Sequence, residues 1–145
     1  MLPEARVTEP TPLRVQAPQV TRCYLERAVD VWQERLQLGH WKVTFDPAAP
    51  LIESDLGNIE RHDPYDYATL KLNTGYAAWT RRELNLVIVH ELMHLHSCRV
   101  EYAVESIEKL VTAGARAVWS DWIGQEIEAL VDKMATLLVN AYGEV

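Results

Sequence analysis

Apolar positions along this chain repeat with two different periods, and the alternation between them divides it into helix, strands and helices. Tyr24, Ala28, Val31, Trp32, Arg35 and Leu36 recur at a partial helical spacing behind Thr21, a residue suited to capping. A helix is therefore predicted from Thr21 to about Leu38, with Gly39 as its stop. Residues 41–45 and Tyr67–Leu72 alternate apolar with polar and read as strands, with a weaker strand over 56–61. Pro47 and Pro50 end the first strand, Asp63-Pro64-Tyr65-Asp66 makes a turn, and Asn73-Thr74-Gly75 closes the last strand.

Helical spacing then returns. Thr80-Arg81-Arg82-Glu83 has the form of a capping box, in which each side chain can satisfy the other's backbone amide. The helix that follows meets no Gly or Pro before Gly114. Leu84, Leu86, Val87, Ile88, Val89, Leu92, Met93 and Leu95 make it apolar on nearly every side, the pattern of a helix buried all round. Val104, Ile107, Leu110 and Val111 predict a helix from 103 to about 118, weakened by Gly114. Ser120 can cap a final helix from 121 or 122 to about Tyr142, with Gly143 beyond it, unless the two segments are one bent helix. The core stripe of that last helix is Ile127, Leu130, Val131, Met134, Leu137 and Leu138. Before all of this, residues 1–19 carry Pro3, Pro10, Pro12 and Pro18, the pattern of an extended or disordered arm. The expected architecture is α+β, a short sheet on a buried helix with helices before and after it, forming a single domain over 20–145.

Composition adds exclusions. A chain of 145 residues can bury a proper core, and a net charge of −7 argues against a broad nucleic-acid surface. Two cysteines, Cys23 and Cys98, make no disulfide framework. No apolar run is long enough to span a bilayer, and the first residues lack a secretory pattern. A cytoplasmic protein with no membrane or nucleic-acid partner is expected; oligomeric state is left open.

The chemistry lies in His90-Glu91-Leu92-Met93-His94. Four residues apart on a helix, both imidazoles lie on one face and reach a single Zn²⁺ ion, while Glu91 sits beside the ion as general base towards a water it activates. A shuffled chain of this composition would show H-E-x-x-H about 2% of the time, so the buried helix around it carries much of the weight. Two His and a Glu on such a helix need partners, and a metal supplies them. A third protein ligand is required. The metzincin extension is absent, since Ser97 and Val100 stand where its Gly and third His would be. Glu128 is the leading candidate, because it shares a helical face with Gly124, Val131, Ala135 and Leu138 and so points at the core. Glu126, on a more exposed face with Lys133 and Trp122, is the second. Cys98 could reach the ion but reads better as a small buried hydrophobe. Glu101 and Glu105 read as solvated surface, and His96 as surface or as a support behind the ligands. Tyr76, Tyr102, Tyr142 and His62 are open candidates for stabilising an oxyanion.

His90 to His94, followed by Glu128-Ala129-Leu130-Val131-Asp132, resembles the small HExxH…Glu zincins: the phage and prophage metallopeptidases related to ImmA/IrrE-type and SprT/WLM-type domains. The resemblance covers about residues 20–142 and is most specific at the motif helix. It implies a minimal gluzincin fold, His90, His94 and Glu128 as ligands to one Zn²⁺, Glu91 as base, and a protein or peptide substrate. In that fold type the substrate lies along an exposed strand beside the motif helix, for which Tyr67–Leu72 is the candidate. No helix-turn-helix domain or basic DNA-binding tail accompanies the resemblance. The leading expectation is a cytoplasmic zinc endopeptidase. A catalytically weak zinc domain acting by protein recognition is the alternative, and a structural protein with a relic site the third.

Overall fold

A computed structural model describes residues 20–47, 55–62 and 65–145. The predicted arm (1–19), Pro50, and Asp63-Pro64 of the predicted turn lie outside the described residues. Three helices and a three-stranded sheet make an α+β structure.

The first helix, α1 (Arg22–Arg35), starts as predicted, with the Thr21 hydroxyl accepting from the Tyr24 amide. It stops two residues earlier than Gly39 implied. Gln37 takes the left-handed conformation (φ 57°), its amide bonds Glu34 O, and the Leu38 amide bonds Gln33 O. This is a Schellman closure with Gln in the position glycine usually holds. Leu38, fully buried just beyond, anchors it. The face turned inward is Leu25, Ala28, Val29 and Trp32, displaced from the stripe predicted at Val31 and Arg35.

The strands are β1 (Lys42–Asp46), β2 (Gly57–His62) and β3 (Tyr67–Leu72), in the spatial order β1-β3-β2. β1 runs parallel to β3 and β2 antiparallel to it. Ala68, Leu70 and Leu72 of β3 are buried while the residues between them are partly exposed, so one sheet face carries the core. Both edges of β3 are thus paired. It cannot receive an extended peptide, and the predicted substrate strand is corrected on this point. Among the described residues, the strand edge left unpaired beside the motif helix belongs to β2.

After a single 3-10 turn, α2 (Arg81–Glu108) begins at the predicted capping box: the Thr80 amide donates to Glu83 Oε2 at 2.6 Å and the Glu83 amide to Thr80 Oγ1 at 3.2 Å. Leu84, Ile88, Val89, Leu92 and Leu95 are its buried apolar residues; Leu86, Val87 and Met93 are only partly covered. The helix is therefore buried on one broad side rather than all round. Asn85 lies fully inside with its hydrogen bonds made: Oδ1 accepts from Trp32 Nε1 at 2.5 Å, and Nδ2 donates to Tyr24 OH and Arg81 O. That polar bridge fixes α1 against α2.

The predicted break in the C-terminal third is misplaced. α2 runs unbroken through 103 to Glu108, the chain turns over 109–112, and α3 (Ala113–Tyr142) carries Gly114 in its first turn and Ser120 in its interior. Thr112 is the N-cap residue, without a side-chain bond. Val104 of α2, Val111 of the turn and Ile123 and Ile127 of α3 are partly covered, where α2 and α3 lie against each other on either side of the turn. Gly143 ends α3 as expected, at φ 74°. Val131, Ala135 and Val139 face the core, but Leu130 and Leu137, predicted there, are exposed.

Candidate metal centre

One turn of α2 presents His90 and His94 to α3, and α3 answers with Glu128. Nε2 of His90 and Nε2 of His94 are 3.2 Å apart, and the two Glu128 oxygens lie 3.3 Å from one and 3.3 Å from the other. One ligand atom from each of these three residues lies within 4.8 Å of the others. Glu128 reaches them from a side chain still 56% exposed, so it lines an open cleft rather than pointing into the core as its apolar helix face suggested. Glu126, Cys98 and Glu105 are not in the cluster. Cys98 packs partly covered against the core.

The backs of both imidazoles are held by carboxylates. His90 Nδ1 donates to Asp132 Oδ1 at 2.7 Å, one helical turn beyond Glu128. His94 Nδ1 faces Glu101 Oε1 at 3.6 Å, close for charge attraction though long for a hydrogen bond. Glu101 is in turn anchored by the Ser97 hydroxyl at 2.6 Å and by Arg61 of β2 at 2.6 Å. The reading of Glu101 as solvated surface is overturned: it ties a motif histidine to the edge strand. Burial would raise its carboxyl, but His94, Ser97 and Arg61 outweigh that and hold it at about 2. Facing Glu101 raises His94 above the ordinary histidine value; burial opposes this, and the negative charge of Glu128 and Glu91 adds to it. Asp132 escaped sequence reading, yet its spacing of four from Glu128 places it on the same face and was a usable signal.

Glu91 lines the same cleft on the side of β2. It is buried, and burial is the main influence raising its carboxyl above the usual range. His90 and His94 pull it down, Glu128 pushes it up, and the Ile59 backbone amide lowers it by hydrogen bonding. Gly57 makes this approach possible: a Cβ there would stand 2.8 Å from Val87 Cγ1 and 2.9 Å from Glu91 Oε1. Any larger residue would push the strand off the carboxylate. The glycine stood at the edge of a predicted strand, where nothing in sequence distinguished it from a turn residue.

The cleft around these groups has a volume of about 810 Å³, with Leu86 and Val87 of α2, Ala135 and Thr136 of α3 and the Asp55–Arg61 edge as its other walls. None of Tyr76, Tyr102, Tyr142 or His62 lines it. Tyr76 packs on Phe45, Tyr102 under Arg61 and Tyr142 on Trp32, while His62 bonds Thr69. His96 is exposed and contacts the Leu36 carbonyl at 2.7 Å, tying α2 to the end of α1.

The donor set fits a zinc ion. Nδ1 of each ring faces a carboxylate, which leaves the two Nε2 atoms and a Glu128 oxygen as the donors that converge on one point. Ligand atoms around tetrahedral zinc with bonds of about 2.0–2.1 Å stand about 3.3 Å apart; the two ring nitrogens here are 3.2 Å apart, and one Glu128 oxygen completes a set within 4.8 Å. Comparison with family models, with curated proteins and with solved structures returns no match to this chain. Among the described residues, no helix is long and apolar enough to cross a membrane.

Proposed function

We propose that this chain is a zinc-dependent metallopeptidase of the small zincin type, cytoplasmic and acting on an extended protein or peptide substrate. The observation that carries the reading is the convergence of His90, His94 and Glu128 on one point, with Glu91 held beside them at a strand edge. His90 Nε2, His94 Nε2 and a Glu128 oxygen would hold one Zn²⁺, a Lewis acid that polarises a carbonyl and acidifies water. Asp132 and Glu101 fix the ring orientations and favour the tautomer with Nε2 free, and their negative charge makes both rings better electron donors. Glu91 accepts the proton of the attacking water and returns it to the leaving amine. A carboxylate with a raised pKa is suited to both halves of that exchange. The outer edge of β2 aligns the substrate through main-chain hydrogen bonds, with the cleft walls taking its side chains.

Glu91 also separates this reading from a zinc domain that only recognises a partner, which has no need of a base. In Glu91→Gln, zinc measured by elemental analysis stays at one per chain while hydrolysis of a peptide library falls by about two orders of magnitude or more. Wild-type protein that takes up no zinc, and whose melting temperature ignores added zinc, sinks the metal site. Zinc retained with no hydrolysis by the wild type leaves the recognition domain as the answer.

A further inference from the structure

The outer face of α3 carries apolar side chains that the described residues leave uncovered. Trp119, Trp122, Leu130 and Leu137 are exposed, Trp122 and Leu130 by 61% and 60%. Together with Glu126 and Lys133 they occupy positions 119, 122, 126, 130, 133 and 137, a mean spacing of 3.6 residues. That spacing makes a straight stripe about 27 Å long on an α-helix. It runs opposite Val131, Ala135 and Val139, the residues α3 buries in the core. Among the described residues, neither Glu126 nor Lys133 forms an ion pair.

We propose that this stripe is a homodimer interface in which α3 packs antiparallel on α3 of a second copy about a two-fold axis between Ala129 and Leu130. Glu126 and Lys133 stand equally far from that axis, about 5 Å along the helix on either side. An antiparallel two-fold pair therefore sets each Glu126 against the partner's Lys133, twice over. Trp122 and Leu137 are also equidistant from it, about 11 Å away, so each indole covers the partner's Leu137. Leu130 meets Leu130 near the axis. A C₂ interface must be complementary to itself, and this one is, in charge and in apolar surface. The parallel pairing would set Glu126 on Glu126 and Lys133 on Lys133. A bilayer surface is a poorer occupant, because a carboxylate lies inside the stripe. Glu128 lies about 200° from Glu126 around the helix, so the cleft stays open in the dimer.

The test is sedimentation equilibrium of the full chain, with circular dichroism as a check on folding. The wild type is a dimer. Leu130→Asp is a monomer with unchanged helicity, since the side chain it replaces is exposed in the single copy. Glu126→Lys and Lys133→Glu each weaken association about ten-fold or more, because each sets like charges face to face. The double exchange E126K/K133E recreates both pairs and returns association to within about three-fold of wild type. A chain that stays monomeric at about 100 μM overturns the proposal. So does a dimer indifferent to Leu130→Asp, a double exchange no better than the singles, or a monomer that instead binds phosphatidylcholine vesicles through its tryptophans.

Discussion

The two ends of the α2–α3 hairpin are made of the same secondary structure and held by different forces. At the sheet end, Leu84, Ile88, Val89, Leu92 and Leu95 of α2 share one core with Ala135 and Val139 of α3, with almost no exposed surface. At the far end, from about 99 on α2 and back to about 126 on α3, no residue is fully buried, and contact rests on partly covered side chains such as Val104 and Ile123. Burial stabilises the first end; the second depends on helix propensity and on being tied to the first. The candidate metal centre sits on the buried side of that divide. Ligands held to a few tenths of an ångström need walls that cannot yield, and only the sheet end has them.

The largest effect that would break this contrast concerns zinc. His94→Ala and Glu128→Ala remove proposed ligands from the firm end and should abolish tight binding, whereas Glu126→Ala, two residues along but on the outer face, should leave it unchanged. Titration calorimetry with a competing chelator measures this. Equal loss in Glu126→Ala and Glu128→Ala would mean that the helix face is wrongly placed. Next in size is packing. Leu92→Ala opens a cavity under the motif and should cost about 2–5 kcal/mol of unfolding free energy, while Val118→Ala at the exposed end should cost under about 0.5 kcal/mol. Urea unfolding of the two variants gives the ratio, and comparable losses would show that the far end is packed too. A smaller effect tests the start of the helix. Thr80→Ala removes a cap and should cost about 1 kcal/mol. Its partner Glu83 titrates below the usual carboxylate value because the Thr80 amide, and then the Thr80 hydroxyl, bond its charged form. That stabilisation is present above the unfolded-state pKa of Glu83 and fades as pH falls through the folded-state value. The gap between wild type and Thr80→Ala should therefore narrow in acid. A gap that widens on acidification contradicts the box. At the smallest scale, amide exchange should be slow through 84–95 and fast through 103–108, by local opening.

What sequence determined was local. The capping box at Thr80 and Glu83, the cap at Thr21, the closing Gly143 and the strand Tyr67–Leu72 each depend on residues within a few positions of one another, and all stand as read. His90, Glu91 and His94 were legible for the same reason: a spacing of four on one helix is a one-dimensional fact. Glu128 was chosen because its helix face was read as pointing at the core, whereas it lines an open cleft; Asp132 could have been reached from its spacing, a matter of a single helix. Tertiary structure alone decided that β3 lies inside the sheet, with β1 and β2 at its edges among the described residues, since β3 and β2 alternate alike along the chain. It decided where α2 ends, because the chain turns over 109–112, inside the segment 103–118 that reads as one helix. It turned Glu101 from a surface charge into a link between His94 and Arg61, and it made Gly57 the gap into which Glu91 fits. Each of these depends on residues far apart in the chain meeting in space, and a periodicity read along one segment carries no information about what will be packed against it.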